Sequence, residues 1–345
     1  MQNLLLLQPF PRFSAGSLGH KVESRLNPVS TAAHPRRLTE DDVRRALDPA
    51  LVLAAIESAF RDRFPAITLS PRPVLQLRSG VFLAMSCYDA STHALGSKLV
   101  TVRNNPAPGE DAVHATYLLF DPETAEPRLT IAANYLTDLR TAATSAVATK
   151  FLAREDASTL AIFGTGRLAR AHLQLIPRVR KFRRVLVCGR NPARSAQFVD
   201  QMSAEFSGIF LSAADPRTCA AEADVLCTCT SNPTPLFDGH DLRPGAHLNL
   251  TGAFQPHTRE ADTHTIQRAR VVVDTYAAAQ SEMGDLLIPM EEGAISPGHV
   301  VADLHELLSG KRQGRLSPKD ITVFKSVGCA LEDLVTAELL LPSEK

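Results

Sequence analysis

Residues Ser158–Asn191 read STLAIFGTGRLARAHLQLIPRVRKFRRVLVCGRN. Leu160 to Phe163 form an unbroken apolar run, as a strand buried on both faces would. Gly164, Gly166 and Ala169 follow at the spacing G-x-G-x-x-A; a helical pattern then runs through Ala171, Leu173, Leu175 and Ile176, and a second strand spans Arg184 to Cys188. In this reading Gly164 makes the strand-to-helix turn, Gly166 lets the backbone approach a pyrophosphate, and small Ala169 seats the helix close to the sheet. The pyrophosphate would rest on the free N–H groups of the helix N-terminus. Alone the motif is weak; its place between two strands and a helix makes it a dinucleotide-binding unit.

Composition is ordinary for a soluble globular protein and argues against several other classes. The 345 residues are 44% hydrophobic and 21% charged, with Lys+Arg and Asp+Glu balanced at 37 each. Nothing global therefore steers the chain to nucleic acid or an anionic membrane. No run of apolar residues is long enough to span a bilayer. The six cysteines are scattered apart from Cys227 and Cys229, which points to reduced thiols and a cytoplasmic protein. The eleven histidines show no metal-ligand spacing, so no metal is expected. His172 reads as structural, and His114 and His257 are weak candidates for a site.

Outward from the nucleotide unit, the first 37 residues lack a clear period and read as a poorly ordered extension. Thr39 and Asp42 resemble a capping box before a helix at Glu40–Leu47, and Pro49 opens a second helix whose apolar side is Leu51, Leu53, Ile56 and Phe60. Short strands follow at 67–69, 74–77, 81–85, 95–102, 115–120 and 127–132, giving an α+β domain with a mostly antiparallel sheet. An alanine-rich helix runs from Leu136 into the nucleotide unit. Beyond Asn191, strands and helices alternate as in a doubly wound sheet. The tail predicts a helix over Val300–Leu308, a strand from Ile321 that could rejoin the first sheet, and a helix over Leu331–Leu341. The expected fold is α/β: a Rossmann domain (143–317) inserted in an α+β domain built from both chain ends (38–142 with 318–345).

The second strand of the nucleotide unit ends in Arg190 and Asn191, with no acidic residue to take a ribose 2′-hydroxyl. Arg190, helped by Arg194, could face a 2′-phosphate, so NADP(H) is favoured. If Arg190 is only a solvated loop residue, NAD(H) binds as well. Three cations at strand or helix boundaries, Arg72, Lys98 and Arg140, are candidates for holding a small carboxylate. Lys98 lies among apolar neighbours and Arg140 in the first turn of a helix, the wrong end for its dipole. The plain alternative is that each pairs with a local Asp or Glu.

Several segments together resemble one family, the ornithine cyclodeaminase/mu-crystallin family. They are Lys98-Leu-Val-Thr-Val, Leu136-Thr-Asp-Leu-Arg140-Thr-Ala-Ala, Gly164-Thr-Gly-Arg-Leu-Ala-Arg-Ala-His172 and Pro244 to Ala253. Arg259-Glu260-Ala-Asp262, Glu282-Met-Gly284-Asp285-Leu and Phe324-Lys325-Ser326-Val-Gly328 complete the set. The resemblance implies a substrate and dimerisation domain made from both chain ends, and a homodimer. It implies that Arg72, Lys98 and Arg140 hold an amino-acid carboxylate and that Gly164, Thr165, Gly166, Arg167 and Leu168 hold the pyrophosphate. Arg190 and Asn191 would reach the adenosine end. Thr228 or Thr230, with Thr251 to Ala253, would flank the nicotinamide ribose, and Ser326 would lie near the substrate.

One departure directs the expected reaction. Where the cyclodeaminase branch carries an aspartate for the substrate amino group and a lysine four residues later, this chain has Phe254 and Thr258. An apolar ring cannot orient an ammonium or relay its proton. The resemblance then implies NAD(P)H-dependent reduction of a cyclic α-imino acid, Δ1-pyrroline-2-carboxylate or Δ1-piperideine-2-carboxylate, to L-proline or L-pipecolate. Phe254 would pack on the ring methylenes or the nicotinamide. The alternatives are a cyclodeaminase-type lyase, a reductase of linear imino acids, an amino-acid dehydrogenase, or a dinucleotide-dependent binding protein.

Overall fold

The computed structural model describes residues 35–342 apart from 105, 108, 109 and 207. Most of the expected extension thus lies outside the described residues, although Arg36 and Arg37 belong to an ordered strand. In chain order the first layer comprises β1 (Arg36–Leu38), α1 (Glu40–Ala46), α2 (Pro49–Ser58), β2 (Ile67–Leu69), β3 (Val74–Leu77), β4 (Gly80–Asp89), β5 (Ala94–Arg103), β6 (Val113–Phe120) and β7 (Pro127–Ala132). The strands form a seven-stranded sheet ordered β1-β7-β6-β5-β4-β2, with β3 on β4. All its pairings are antiparallel except β1 with β7. Thr39 and Asp42 do form the capping box of α1. On α2 the buried side is Val52 and Ile56, continued by Phe60, and Leu51 is exposed. Spacing by four residues, not by two, sets that face.

The connecting helix α3 runs Asn134–Leu152 and is buried along most of its length. Its alanines (Ala142, Ala143, Ala146, Ala148) let both layers approach it closely.

The second layer contains β8 (Thr159–Phe163), α4 (Arg167–Leu175), β9 (Arg184–Cys188), α5 (Pro192–Ser203), β10 (Phe210–Ala213), α6 (Pro216–Glu222), β11 (Val225–Thr228), β12 (His247–Leu250) and α7 (Thr263–Arg268). It continues with β13 (Ala269–Val273), α8 (Tyr276–Ala279), α9 (Gly284–Glu291), β14 (Val300–Asp303), α10 (Leu304–Leu308), β15 (Ile321–Lys325) and α11 (Ala330–Glu338). Its strands form an eight-stranded sheet ordered β10-β9-β8-β11-β12-β15-β13-β14. Every pairing is parallel. This is the doubly wound arrangement, whose order reverses between β8 and β11.

Two expectations need correction. Strand β15 does not rejoin the first sheet: it lies between β12 and β13 in the parallel one, and it is α11 that crosses back to pack on α2, α3 and β5. Residues 300–303 are strand, not helix, because Asp303 caps α10 by accepting the Glu306 N–H and so starts the helix late.

The register aligns the strand ends. Phe163 pairs with Cys188 and Thr228, Thr228 with Leu250, and Lys325 with Leu250 and Val273. The loops after these strands therefore emerge along one edge: the Gly164 turn, Cys229–Thr230, Thr251–Phe254, Asp274 and Ser326–Gly328. In open parallel sheets that edge is where ligands bind.

Candidate functional site

At the first of these loops Gly164 has φ +123°, and a Cβ there would lie 2.5 Å from the Cys229 carbonyl oxygen. Only glycine fits both the angle and the close approach. Gly166 caps α4 without a side-chain oxygen, and a Cβ on it would meet nothing within 4 Å. Free N–H groups beside open space suit a pyrophosphate. Arg167 is turned aside: it pairs with Asp111 and, at 2.9 Å, with Asp138. Burial raises the Asp138 carboxyl to about 6, against the pull of Arg167. His172 is structural, joining Ser145 on α3 to the Leu168 carbonyl, and burial lowers it to about 4.

At the adenosine end Arg190 and Arg194 are exposed. The Asn191 side chain caps α5, accepting the Ala193 and Arg194 N–H groups at 3.0 and 3.3 Å. The threonines on the nicotinamide side are also engaged. Thr228 and Thr230 donate their hydroxyls to Glu260 at 2.7 and 2.6 Å, and Thr251 donates to the Thr228 carbonyl at 2.8 Å. Buried Glu260 further accepts the N–H groups of Thr230, Gly252 and Ala253. One carboxylate thus fixes the ends of both β11 and β12. Beneath it Lys325 donates to the Ala253 carbonyl at 2.5 Å and pairs with Asp285 at 2.9 Å.

The three candidate cations do converge. Lys98 on β5 reaches Asp333 at 2.8 Å, and Arg140 on α3 reaches the same Asp333 oxygen at 2.9 Å and Glu332 at 2.6 Å. Both acids lie in the first turn of α11, where the helix dipole favours them. Glu332 also accepts the Cys329 N–H, so it caps the helix it belongs to. A Cβ on Gly328 would strike the Arg140 guanidinium at 2.5 Å, which packs that side chain against the loop before α11. Arg72 approaches the loop from its other side, donating to the Val327 and Gly328 carbonyls and pairing with Glu282 at 2.7 Å.

The plain alternative of acid partners therefore applies to all three cations, but the partners are remote in sequence. Arg140 has its anionic reason, and it stands in the second turn of α3, which begins at Asn134. Burial, with the repulsion of Arg140, lowers Lys98 to about 8 despite Asp333; Arg140 is raised because Asp333 and Glu332 outweigh its burial. Ser326 donates to Asp274 at 2.9 Å, and Asp274 also accepts the Val327 and Gly328 N–H groups.

Arg72 lines a cavity of about 340 Å³ together with Phe254, Gln255, His257 and Glu282. A larger, open cavity of about 520 Å³ around Arg154 and Arg315 lies at a different set of loops and includes none of these residues. Glu282, Glu332 and Asp333 carry no local signal of their own: Glu282 stands only inside the Glu282-Met-Gly284-Asp285-Leu segment, and Glu332 and Asp333 only inside the ending Phe324 to Asp333 that resembles cyclic-ketimine reductases. Among the described residues no group of side chains could hold a metal ion, and no helix is long and apolar enough to cross a membrane.

Lys98 binds its proton less tightly folded (about 8) than at its ordinary value of 10.5. The unfolded chain therefore holds more protons across that window, and this residue's contribution to stability rises with pH there, by at most about 1.4 kcal/mol per pH unit. Denaturant unfolding between these pH values is expected to show that slope in the wild type minus Lys98→Met difference; a flat difference would refute the weakened proton binding of the buried lysine.

Residues 36–343 match the model of the ornithine cyclodeaminase/mu-crystallin family. The Δ(1)-pyrroline-2-carboxylate reductase of Bacillus cereus is 36% identical over 260 residues, covering 75% of this chain and 80% of that one. The structure resembles that of the Thermococcus litoralis Δ(1)-pyrroline-2-carboxylate reductase in complex with NADH and L-proline, with a TM-score of 0.86, 33% identity and coverage of 88% and 96%. It also resembles an archaeal alanine dehydrogenase dimer with bound NAD, with a TM-score of 0.83, 28% identity and coverage of 89% and 94%. On the family match and these likenesses, the chain belongs to the ornithine cyclodeaminase/mu-crystallin family.

Proposed function

We propose that the protein is an NAD(P)H-dependent reductase of cyclic α-imino acids, converting Δ1-pyrroline-2-carboxylate, or its six-membered homologue, to the cyclic L-amino acid. The observation that carries this reading is the pairing of a guanidinium, Arg72, with an apolar ring, Phe254, in one small cavity on the ligand edge of a dinucleotide fold. The named relatives, one with NADH and L-proline, support the same substrate class.

The chain fits a dinucleotide at the glycine turn. Gly164 to Leu168 would hold its pyrophosphate, Arg190 its adenosine end, and the backbone of Thr228–Thr230 and Thr251–Ala253 its nicotinamide ribose. When bound, the reduced nicotinamide supplies a hydride. Arg72 grips the substrate carboxylate, with Lys98 and Arg140 forming the charged floor behind it. Phe254 packs against the ring methylenes and keeps water from C2. Ser326 acts through Asp274, holding the loop that Arg72 binds. On this reading the seven-stranded layer with α11 is the substrate domain and the parallel layer is the nucleotide domain. Strand β3 exposes Val74, Leu75 and Leu77, which suits a homodimer contact. A cytoplasmic location fits the free cysteines.

Purified protein is expected to oxidise NADPH with Δ1-pyrroline-2-carboxylate and to release no ammonia from L-ornithine with NAD+. Proline and ammonia from ornithine, with no imine reduction, would overturn the assignment. Arg190→Ala is expected to raise KM for NADPH about tenfold or more while leaving NADH nearly unchanged. Equal effects on the two cofactors would mean that Arg190 does not meet a 2′-phosphate.

A further inference from the structure

Every cation around the cavity is matched by an acid before any substrate arrives. Arg72, Lys98 and Arg140 face Glu282, Glu332 and Asp333. Lys325 is matched by Asp285, and Glu260 and Asp274 are held by N–H and hydroxyl donors. A substrate carboxylate entering this set, in which no positive charge is spare, adds an uncompensated negative charge in a confined space, which is costly unless one acid gives its charge up. Glu332 and Asp333 are fully buried and tied to α11, to Arg140 or to Lys98. Glu282 differs. Its side chain is 23% exposed, it lines the cavity, and its single ion-pair partner is Arg72, the cation best placed for the substrate.

We propose that Glu282 is the catalytic acid of this site: the substrate carboxylate displaces it from Arg72, it takes up a proton, and it delivers that proton to the imine nitrogen. The proposal rests on the imine-reductase reading and deepens it. Released from Arg72, the carboxyl keeps two neighbours that favour its neutral form, its own partial burial and the charge of Asp274. The other titratable group at the cavity is His257, exposed at its rim. In the transfer the nitrogen lone pair forms the new N–H bond as the Glu282 O–H bond breaks. The C=N π pair then becomes the nitrogen lone pair as C2 receives hydride from the reduced nicotinamide, a two-electron reduction that leaves a secondary amine. Glu282 ends ionised and free to pair with Arg72 again, which displaces the product carboxylate.

The test uses the full-length protein saturated with dinucleotide and titrated with pyrrole-2-carboxylate, a planar acid that cannot be reduced. Calorimetry in buffers of different ionisation enthalpy is expected to show about one proton taken up per site near pH 7.5 in the wild type. Glu282→Gln should show none, while Glu282→Asp and His257→Gln retain the uptake. Dinucleotide binding by each variant establishes that it folds. With Δ1-pyrroline-2-carboxylate, Glu282→Gln is expected to lose about 10²-fold in kcat/KM. Uptake that persists in Glu282→Gln, or a loss under about threefold, overturns the role of Glu282. A wild type that reduces no cyclic imino acid overturns the reductase reading instead, and the proton count still decides whether Glu282 yields its charge to a carboxylate.

Discussion

Charge neutrality in a dry interior is the constraint on which the rest of this structure depends. Lys98 and Arg140 lie where water is excluded, and each would be prohibitively costly alone. The first turn of α11 supplies Glu332 and Asp333, so the terminal helix must dock on α3 and β5 for either cation to be tolerated. Those contacts fix the last helix to the first layer, while the strand just before it, β15, is fixed in the parallel sheet. The short Ser326–Gly328 loop between them is therefore held from both ends. It is the same loop that Arg72 grips from outside.

A second anionic group performs a comparable service on the nucleotide side. Glu260 gathers hydroxyl and N–H donors from two adjacent strand ends, so the surfaces offered to a nicotinamide ribose are mostly backbone held in place from below. Lys325 and Asp285 continue that support beneath Ala253. The site is thus two rigid supports, one cationic and one anionic at heart, with Arg72, Glu282 and Phe254 at the cavity between the layers. Mobility, where chemistry needs it, falls to the partly exposed pair Arg72 and Glu282.

What was legible in the sequence follows the range of the interactions involved. The glycine turn could be read because its geometry is local: one strand, one tight turn and one helix N-terminus decide it. The alternation of strands and helices, and the antiparallel first sheet, followed for the same reason. Residues 300–303 misled because a short apolar run fits strand or helix equally, and only the cap at Asp303 settles it. The placement of β15 was hidden, since a strand's pattern does not name its neighbour. Lys98 and Arg140 could be flagged as cations needing anions, yet their partners stand 235 and 192 positions away. The side chains of Asn191 and the threonines have internal partners that spacing alone does not reveal, because a helix cap and a buried carboxylate compete for the same polar atoms.

The claim at the centre is that Arg72 exchanges an internal acid for a substrate carboxylate. A crystal structure with dinucleotide and pyrrole-2-carboxylate addresses it most directly. It should place a ligand carboxylate oxygen about 3 Å from the Arg72 guanidinium, with Glu282 swung off Arg72 toward the ring nitrogen and the Lys98, Arg140, Glu332 and Asp333 cluster unchanged. A bound carboxylate held elsewhere, with the Arg72–Glu282 pair still closed, would contradict it.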